Sequence, residues 1–207
     1  MHSAMGIDIG TSGLRILIID HQGSILYKSI LHFDKIEENF RVWEKNKKFN
    51  LNNLEHLILS HFKQIEKDFN NSLVNIIGIT GFGPSLVFLN EKGHPKNLAY
   101  TYAYQGANKY LSKLPRHFQQ RTGGLRSTAL PFVQLLACSK EQKKSTKLTN
   151  ILDYLTWRMT GRPLSEIFVS RPNASYTGFY SIKKETWDFE LLNSLGIHQE
   201  KLPEIVP

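Results

Sequence analysis

Gly6-Ile7-Asp8-Ile9-Gly10-Thr11-Ser12-Gly13-Leu14-Arg15 is the stretch on which the reading of this 207-residue chain turns. A short apolar strand delivers a carboxylate at its end, and a turn of small residues follows at once. Such a turn can aim successive backbone N–H groups at phosphate oxygens, with the Thr11 and Ser12 hydroxyls adding donors. Asp8 then lies close enough to help hold Mg²⁺, directly or through water, because that ion takes carboxylate, water and phosphate oxygens together. Arg15 either contacts a phosphate or braces the hairpin. The same residues also fit an ordinary hairpin whose turn needs glycine, with Asp8 as a turn former.

Working outward, Met5 to Ile9, Leu14 to Asp20 and Ser24 to Phe33 read as consecutive strands, and their short Gly-containing connections make them antiparallel. A polar stretch from Asp34 to Asn50 leads into an amphipathic helix, with Leu51, Leu54, Leu57, Ile58, Phe62, Ile65 and Phe69 at helical spacing and Asn52 and Glu55 as a start signal. Two apolar strands follow, Val74 to Thr80 and Leu86 to Leu89, separated by Gly81-Phe82-Gly83-Pro84. A meander, a crossover helix and further strands predict an α/β fold with a mixed five-stranded sheet that opens in an antiparallel three-strand meander and is flanked by helices. The second half reads as mainly helical: Pro131 through about Gln142, Ile151 to Met159 before Gly161, and Trp187 to Leu195 before Gly196. The apolar tail Leu202-Pro203-Glu204-Ile205-Val206-Pro207 reads as a connection rather than a finished domain edge.

Composition narrows the class. With 41% hydrophobic residues the chain can bury the core of one good-sized domain, and a single domain over 1–207 is expected. No run is long enough to cross a bilayer and no secretory leader is recognisable, so no membrane partner is expected. The single cysteine, Cys138, sits among Leu135, Leu136 and Ala137 and reads as a small core residue; its solitude fits a reducing cytoplasm. The net charge of +8 raises the question of nucleic acid. However, Lys45 to Lys48 and Lys140 to Lys147 lie in polar segments without interleaved aromatic residues, which favours a solvated basic surface. The histidines are scattered without the paired spacing of a zinc site.

The opening decapeptide resembles the first phosphate motif of the FGGY carbohydrate kinases, a motif shared with the wider actin-like ATPase superfamily (ribonuclease H-like fold). The tail carries the resemblance further. Ala174-Ser175, Thr177-Gly178, Trp187-Asp188, Leu191-Leu192, Leu195-Gly196-Ile197 and Leu202 to Pro207 are similar in residue and spacing to the segment that closes the family's first domain. Ile79-Thr80-Gly81 with Leu86 to Asn90 resembles its sugar-side strand and loop, and Thr122-Gly123-Gly124, Pro131 to Leu136 and Asp153-Tyr154-Leu155 resemble the intervening elements. The resemblance implies the N-terminal, sugar-side domain of an enzyme that transfers the γ-phosphate of ATP, with Mg²⁺, to a sugar or polyol hydroxyl. It places Asp8, Gly10, Thr11, Ser12, Gly13 and Arg15 at the ATP phosphates, with Asp8 at the metal. It places Phe82, Gly83, Pro84, Ser85, Tyr102, Tyr104 and Gln105 toward the acceptor.

This chain departs from the family pattern on the sugar side. Phe82-Gly83-Pro84 stands where relatives commonly have Gln-Met-His, and Tyr102-Ala103-Tyr104-Gln105-Gly106 stands where a Trp, Asp and Arg pattern binds substrate hydroxyls. Ser170 stands where an Asp often precedes the Ala-Ser pair. A site built to pair hydroxyls loses them when its partners are missing, because desolvation is then uncompensated. Either the aromatic residues stack on a less hydroxylated ligand or they fill the cleft. The resemblance also implies that the general base, and most of the adenosine pocket, belong to a C-terminal domain absent from this chain; Asp20, Asp34, Asp153 and Asp188 are explained by turns and helix ends. The chain alone is therefore expected to phosphorylate no sugar at a useful rate, and to need that domain in trans or to self-associate. The competing expectation is a non-catalytic binding or scaffolding module.

Overall fold

The computed structural model of the chain describes residues 3–68, 74–139 and 144–207. β1 (Ser3–Ile9) and β2 (Gly13–Asp20) form an antiparallel hairpin in which Asp8 faces Arg15 and Ile9 faces Leu14. β3 (Ile25–His32) extends it antiparallel to β2. The turn between them forms because Asp20 Oδ1 accepts the Gln22 and Ser24 amides, both at 2.8 Å, while Gly23 takes a φ of 84° that a side chain would resist. After β4 (Lys48–Phe49), α1 (Leu51–Asp68) crosses over to β5 (Val74–Gly81), which runs parallel to β1.

Strand alternation decides which face of this sheet is covered. Met5, Ile7, Ile9, Leu14, Ile16 and Ile18 are buried on one side, while Gly6, Asp8, Arg15 and Leu17 on the other keep access to solvent. Each fully buried aliphatic side chain contributes roughly 1.5–3 kcal/mol. Helical spacing puts Leu54, Ile58 and Ile65 on the buried stripe of α1. Ser29 Oγ meets His61 Nε2 at 2.8 Å, which fastens the helix over the apolar face.

Among the described residues the sheet has four strands, in the order β3-β2-β1-β5, rather than the five expected. The segment expected as its fifth strand, β6 (Ser85–Leu89), instead enters a second four-stranded sheet. There it pairs antiparallel with β7 (Ala99–Thr101) and β8 (Lys147–Thr149), and β4 pairs with β7. Every residue of β6 is buried, so both of its faces need cover, and the Gly83-Pro84 step turns the chain away before it starts.

The chain divides into two compact units, one of residues Met1–Val42 with Asn52–Phe82 and the other of Trp43–Leu51 with Gly83–Pro207. The second contains α2 (Phe118–Thr122), α3 (Pro131–Leu136) and α4 (Ile151–Thr160). Beyond them lie β9 (Phe168–Ser170), α5 (Arg171–Ser175), the β10 (Tyr180–Ser181) and β11 (Thr186–Trp187) hairpin, α6 (Phe189–Asn193) and β12 (Glu204–Val206). α3 is shorter than its sequence suggests: it closes at Ala137, whose amide turns back to the Gln134 and Leu135 carbonyls. Ala137, Cys138 and Ser139 are not helical, and residues 140–142 of the expected continuation, like Phe69 at the end of α1, fall outside the described residues. Trp187 belongs to β11 rather than to a helix, because Asp188 caps α6 by accepting the Leu191 amide at 3.1 Å. The apolar tail is built in as well. Trp187 Nε1 donates to the Pro203 carbonyl at 2.9 Å, and β12 pairs parallel with β9.

Cys138 is buried and donates its thiol to the Gln134 carbonyl at 3.2 Å, which agrees with the core reading. No helix among the described residues is long and apolar enough to cross a membrane.

Candidate active site

The candidate phosphate-side residues all lie in the first unit, on the β1–β2 hairpin. Gly10 N–H donates to the Gly13 carbonyl at 2.9 Å and closes the turn, so that amide is spent inside the hairpin. Thr11 and Ser12 form its exposed outer surface. The Ser12 carbonyl accepts the Phe33 amide at 2.9 Å, which ties the turn to the end of β3. Gly13 is required by close approach: a Cβ there would sit 2.4 Å from the Leu31 carbonyl oxygen, a backbone atom that cannot give way.

Asp8 and Arg15 project from the open face of the sheet. Arg15 Nη1 donates to Asp8 Oδ2 at 2.9 Å, and its Nη2 reaches Ser12 Oγ at 3.4 Å. Both side chains are a little over two-fifths exposed, at 42% for Arg15 and 44% for Asp8. The guanidinium thus spans the carboxylate and the turn and uses only one carboxylate oxygen. These groups border an apolar groove of about 570 Å³ on the open face, floored by Gly6 and Gly78. The backbone is bare there because the two glycines face each other across β1 and β5. Phe82 is the last residue of the same unit; its amide donates to the Ile9 carbonyl at 3.0 Å, next to the turn.

The remaining acceptor-side candidates belong to the second unit. Gly83 and Pro84 bring no hydrogen-bonding side chain. The Ser85 hydroxyl is buried and accepts the Ile151 amide at 2.9 Å, so it serves the start of α4. Tyr102 and Gln105 are exposed. Tyr104 packs edge-on against Tyr100, with ring centroids 4.8 Å apart, and burial pushes its phenol above the ordinary tyrosine pKa.

Lys48 is the residue that sequence reasoning placed wrongly, as part of a solvated basic run. Its ammonium stands 4.4 Å from the Tyr100 ring centroid and 5.6 Å from that of Tyr104, with Nζ 3.4 Å from the Tyr100 hydroxyl. The available signal was its place next to Phe49 in a strand-like alternation. That is too short a pattern to separate from the neighbouring Lys45 and Lys47.

The spare carboxylates are structural. Asp153 is buried beside Asn150, accepts from Asn173 Nδ2 at 3.0 Å and from the Ser170 amide at 3.2 Å, and has its pKa raised by burial. Asp188 takes Arg121 Nε at 2.8 Å. Burial is the strongest single influence and acts to raise its pKa, but the Arg121 hydrogen bonds, the Leu191 amide and the charges of Arg121 and Lys184 together outweigh it and leave the carboxyl below the usual range. Neither stands open to a substrate.

A profile of the FGGY family of carbohydrate kinases, N-terminal domain, matches residues 3–207. The chain belongs to the FGGY family of carbohydrate kinases. It is 26% identical over 214 residues to the rhamnulokinase of Pectobacterium carotovorum strain PC1, covering 98% of this chain and 41% of that protein. To the glycerol kinase of Streptococcus pyogenes serotype M3 it is also 26% identical, over 97% of this chain and 42% of the relative. The chain therefore spans about 41% of the length of the FGGY kinases that it resembles, and corresponds to their N-terminal domain. Among solved structures, a xylulose kinase from Brucella ovis superposes with a TM-score of 0.83 at 17% identity, over 99% of this chain and 43% of that one. The ligand-bound xylulose kinase of Lactobacillus acidophilus gives 0.79 at 20% identity, over 100% of this chain and 42% of that one. At such identities the likeness carries the FGGY fold and no more.

Proposed function

We propose that this chain is a single domain that supplies the phosphate-anchoring hairpin and part of the acceptor surface of an ATP-dependent sugar or polyol kinase. The observation that carries the reading is the Asp8–Arg15 pair beside an exposed Thr11-Ser12 turn. The residues fit a magnesium nucleotide in kind. One carboxylate lies at the strand end with only Oδ2 engaged, and a cation and two hydroxyl side chains lie beside it. Asp8 would hold Mg²⁺ through water, and the ion would neutralise charge on the phosphates. Arg15, Thr11 and Ser12 would orient the terminal phosphates, and Gly13 would keep the turn tight against β3. Phosphoryl transfer needs positioning from both sides of the reacting group. The general base and the adenosine pocket are assigned to further polypeptide, in the same chain or in trans, in a cytoplasmic setting.

The acceptor surface supports a second reading. Gly83 and Pro84 carry no hydroxyl-binding side chain, Ser85 is buried against the start of α4, and Lys48 with Tyr100 and Tyr104 makes a cationic, aromatic cluster. Such a cluster suits a less hydroxylated ligand, or a module that kept the fold and lost the reaction.

Calorimetry of the purified chain with ATP, with and without Mg²⁺, separates the two. A Mg²⁺-dependent signal that Asp8→Ala removes supports the phosphate site; silence in both proteins favours the module. Robust turnover of any polyol by the chain alone would overturn the view that catalysis needs further polypeptide.

A further inference from the structure

A polar cavity of about 370 Å³ opens at the C-terminal end of β6, and all of its walls belong to the second unit. Two segments meet there because β6 is held from both sides. The Lys96 amide donates to the Phe88 carbonyl at 2.7 Å, and the Thr146 amide donates to the next carbonyl, that of Leu89, at 2.9 Å. Successive carbonyls of a strand point to opposite edges, so the residues after the turn and those before β8 flank the same strand end. Asn90 shapes the turn. Its Oδ1 accepts the Lys92 and His94 amides at 2.9 and 3.0 Å, which holds the lysine-bearing loop in one form.

The cavity wall is rich in donors. Lys92, Lys96 and Lys144 bring three ammoniums against a single carboxylate among the described lining residues, Glu91. Ser145 lies between Lys144 and Thr146 and lines the cavity as well, yet it is only 2% exposed. Its hydroxyl finds no hydrogen-bond partner among the described residues. Burying a hydroxyl unpaired is costly, and such a group marks a place where a bound acceptor completes the structure. A water would satisfy the hydroxyl and leave the charge excess; an anion answers both. Ammoniums are compact point charges suited to phosphate oxygens, and three of them against one carboxylate match a dianion better than a monoanion. The volume is that of a small-ligand pocket, larger than a bare phosphate needs.

We propose that this cavity is an anion site of the second unit. It takes a phosphate dianion, free or carried as a small phosphomonoester, between the ammoniums of Lys92, Lys96 and Lys144, with the Ser145 hydroxyl donating to it.

Backbone NMR of the chain titrated with β-glycerophosphate tests this. The amide signals of Asn90, Lys92, Ser145 and Thr146 are expected to shift and saturate, while neutral glycerol, or sodium chloride at the same ionic strength, leaves them in place. A parallel titration with inorganic phosphate names the source: tighter binding of the ester assigns the site to an organic phosphate, and equal binding assigns it to the free ion. Lys92 is exposed, so Lys92→Gln should keep the thermal melt and weaken binding about tenfold, the worth of one charge-assisted hydrogen bond. Ser145→Ala should also weaken binding, with a melt unchanged or raised, because it removes an unpaired hydroxyl. Should Ser145→Ala fail to fold, Lys92→Gln decides alone. Shifts that sodium chloride reproduces, shifts confined to Gly10 to Arg15, or undiminished binding by Lys92→Gln overturn the proposal. So does a Ser145→Ala protein that melts earlier and binds as before, since the hydroxyl would then be structural.

Discussion

Arg15 donates to Asp8 across the β1–β2 hairpin at 2.9 Å, so the strand-end carboxylate and the cation behind the turn form one unit on the open face of the sheet. The pair is well exposed, and exposed pairs contribute at most about 1 kcal/mol to stability. Asp8→Asn is accordingly expected to leave the urea midpoint nearly unchanged while abolishing the Mg²⁺-dependent part of ATP binding. Calorimetry with and without the metal measures this, and an unaltered metal dependence would remove Asp8 from the site.

Gly13 and Gly6 should respond oppositely to alanine. A Cβ at Gly13 meets the Leu31 carbonyl oxygen at 2.4 Å, so Gly13→Ala must push β3 away and is expected to cost roughly 1–3 kcal/mol. A Cβ at Gly6 meets nothing within 4 Å, so Gly6→Ala should be neutral or slightly stabilising through the lower entropy of its unfolded chain. Paired urea melts decide, and equal losses would show that the hairpin does not pack as described.

His61, on α1 with its Nε2 against the Ser29 hydroxyl of β3, has its pKa lowered from the ordinary value of 6.5 mainly by burial. The folded state therefore resists protonation more than the unfolded state does. Its contribution is complete above about pH 6.5 and is lost as the pH falls toward the depressed folded value. His61→Gln should flatten the stability profile in that window; an unchanged slope would mean that another group governs it.

Arg121 is shared between Asp188, which is 5% exposed, and Glu190, which is 77% exposed. Removing the cation leaves the buried carboxylate without its charged partner, so Arg121→Ala is expected to lose about 3 kcal/mol. Glu190→Ala should lose less than about 1 kcal/mol, because its charge stays solvated. Denaturant titration of the two variants gives the ratio, and comparable losses would place the energy elsewhere in the network.

Several parts of the structure were legible in advance because short-range chemistry fixes them. Asp8, the small turn and the alternation of Ile7, Ile9, Leu14 and Ile16 gave the hairpin and its buried face. Helical spacing gave α1. Asn150, which accepts the Asp153 amide at 2.9 Å, and Gly161, with φ at 66°, bound α4 close to where the pattern put it. What could not be read depended on partners distant in sequence. Leu86 to Leu89 scores as a strand in any sheet, and only its pairing with Tyr100 and Leu148 assigns it to the second one. That the Ser85 hydroxyl accepts the Ile151 amide, from a residue far along the chain, was likewise not readable from either segment alone.

Family membership was carried by motifs spread over residues 3–207. By itself, the order of residues also determined the hairpin with its acidic strand end and the crossover helix. These follow from steric preference and from the period of apolar side chains, both local along the chain. Tertiary structure alone decided that Asp8 binds Arg15 on the open face of the sheet, that Lys48 sits over two tyrosines, and that Leu86 to Leu89 joins the second sheet. Those outcomes turn on which groups come within a few ångströms after folding, where hydrogen bonds and desolvation are settled in space and not in sequence.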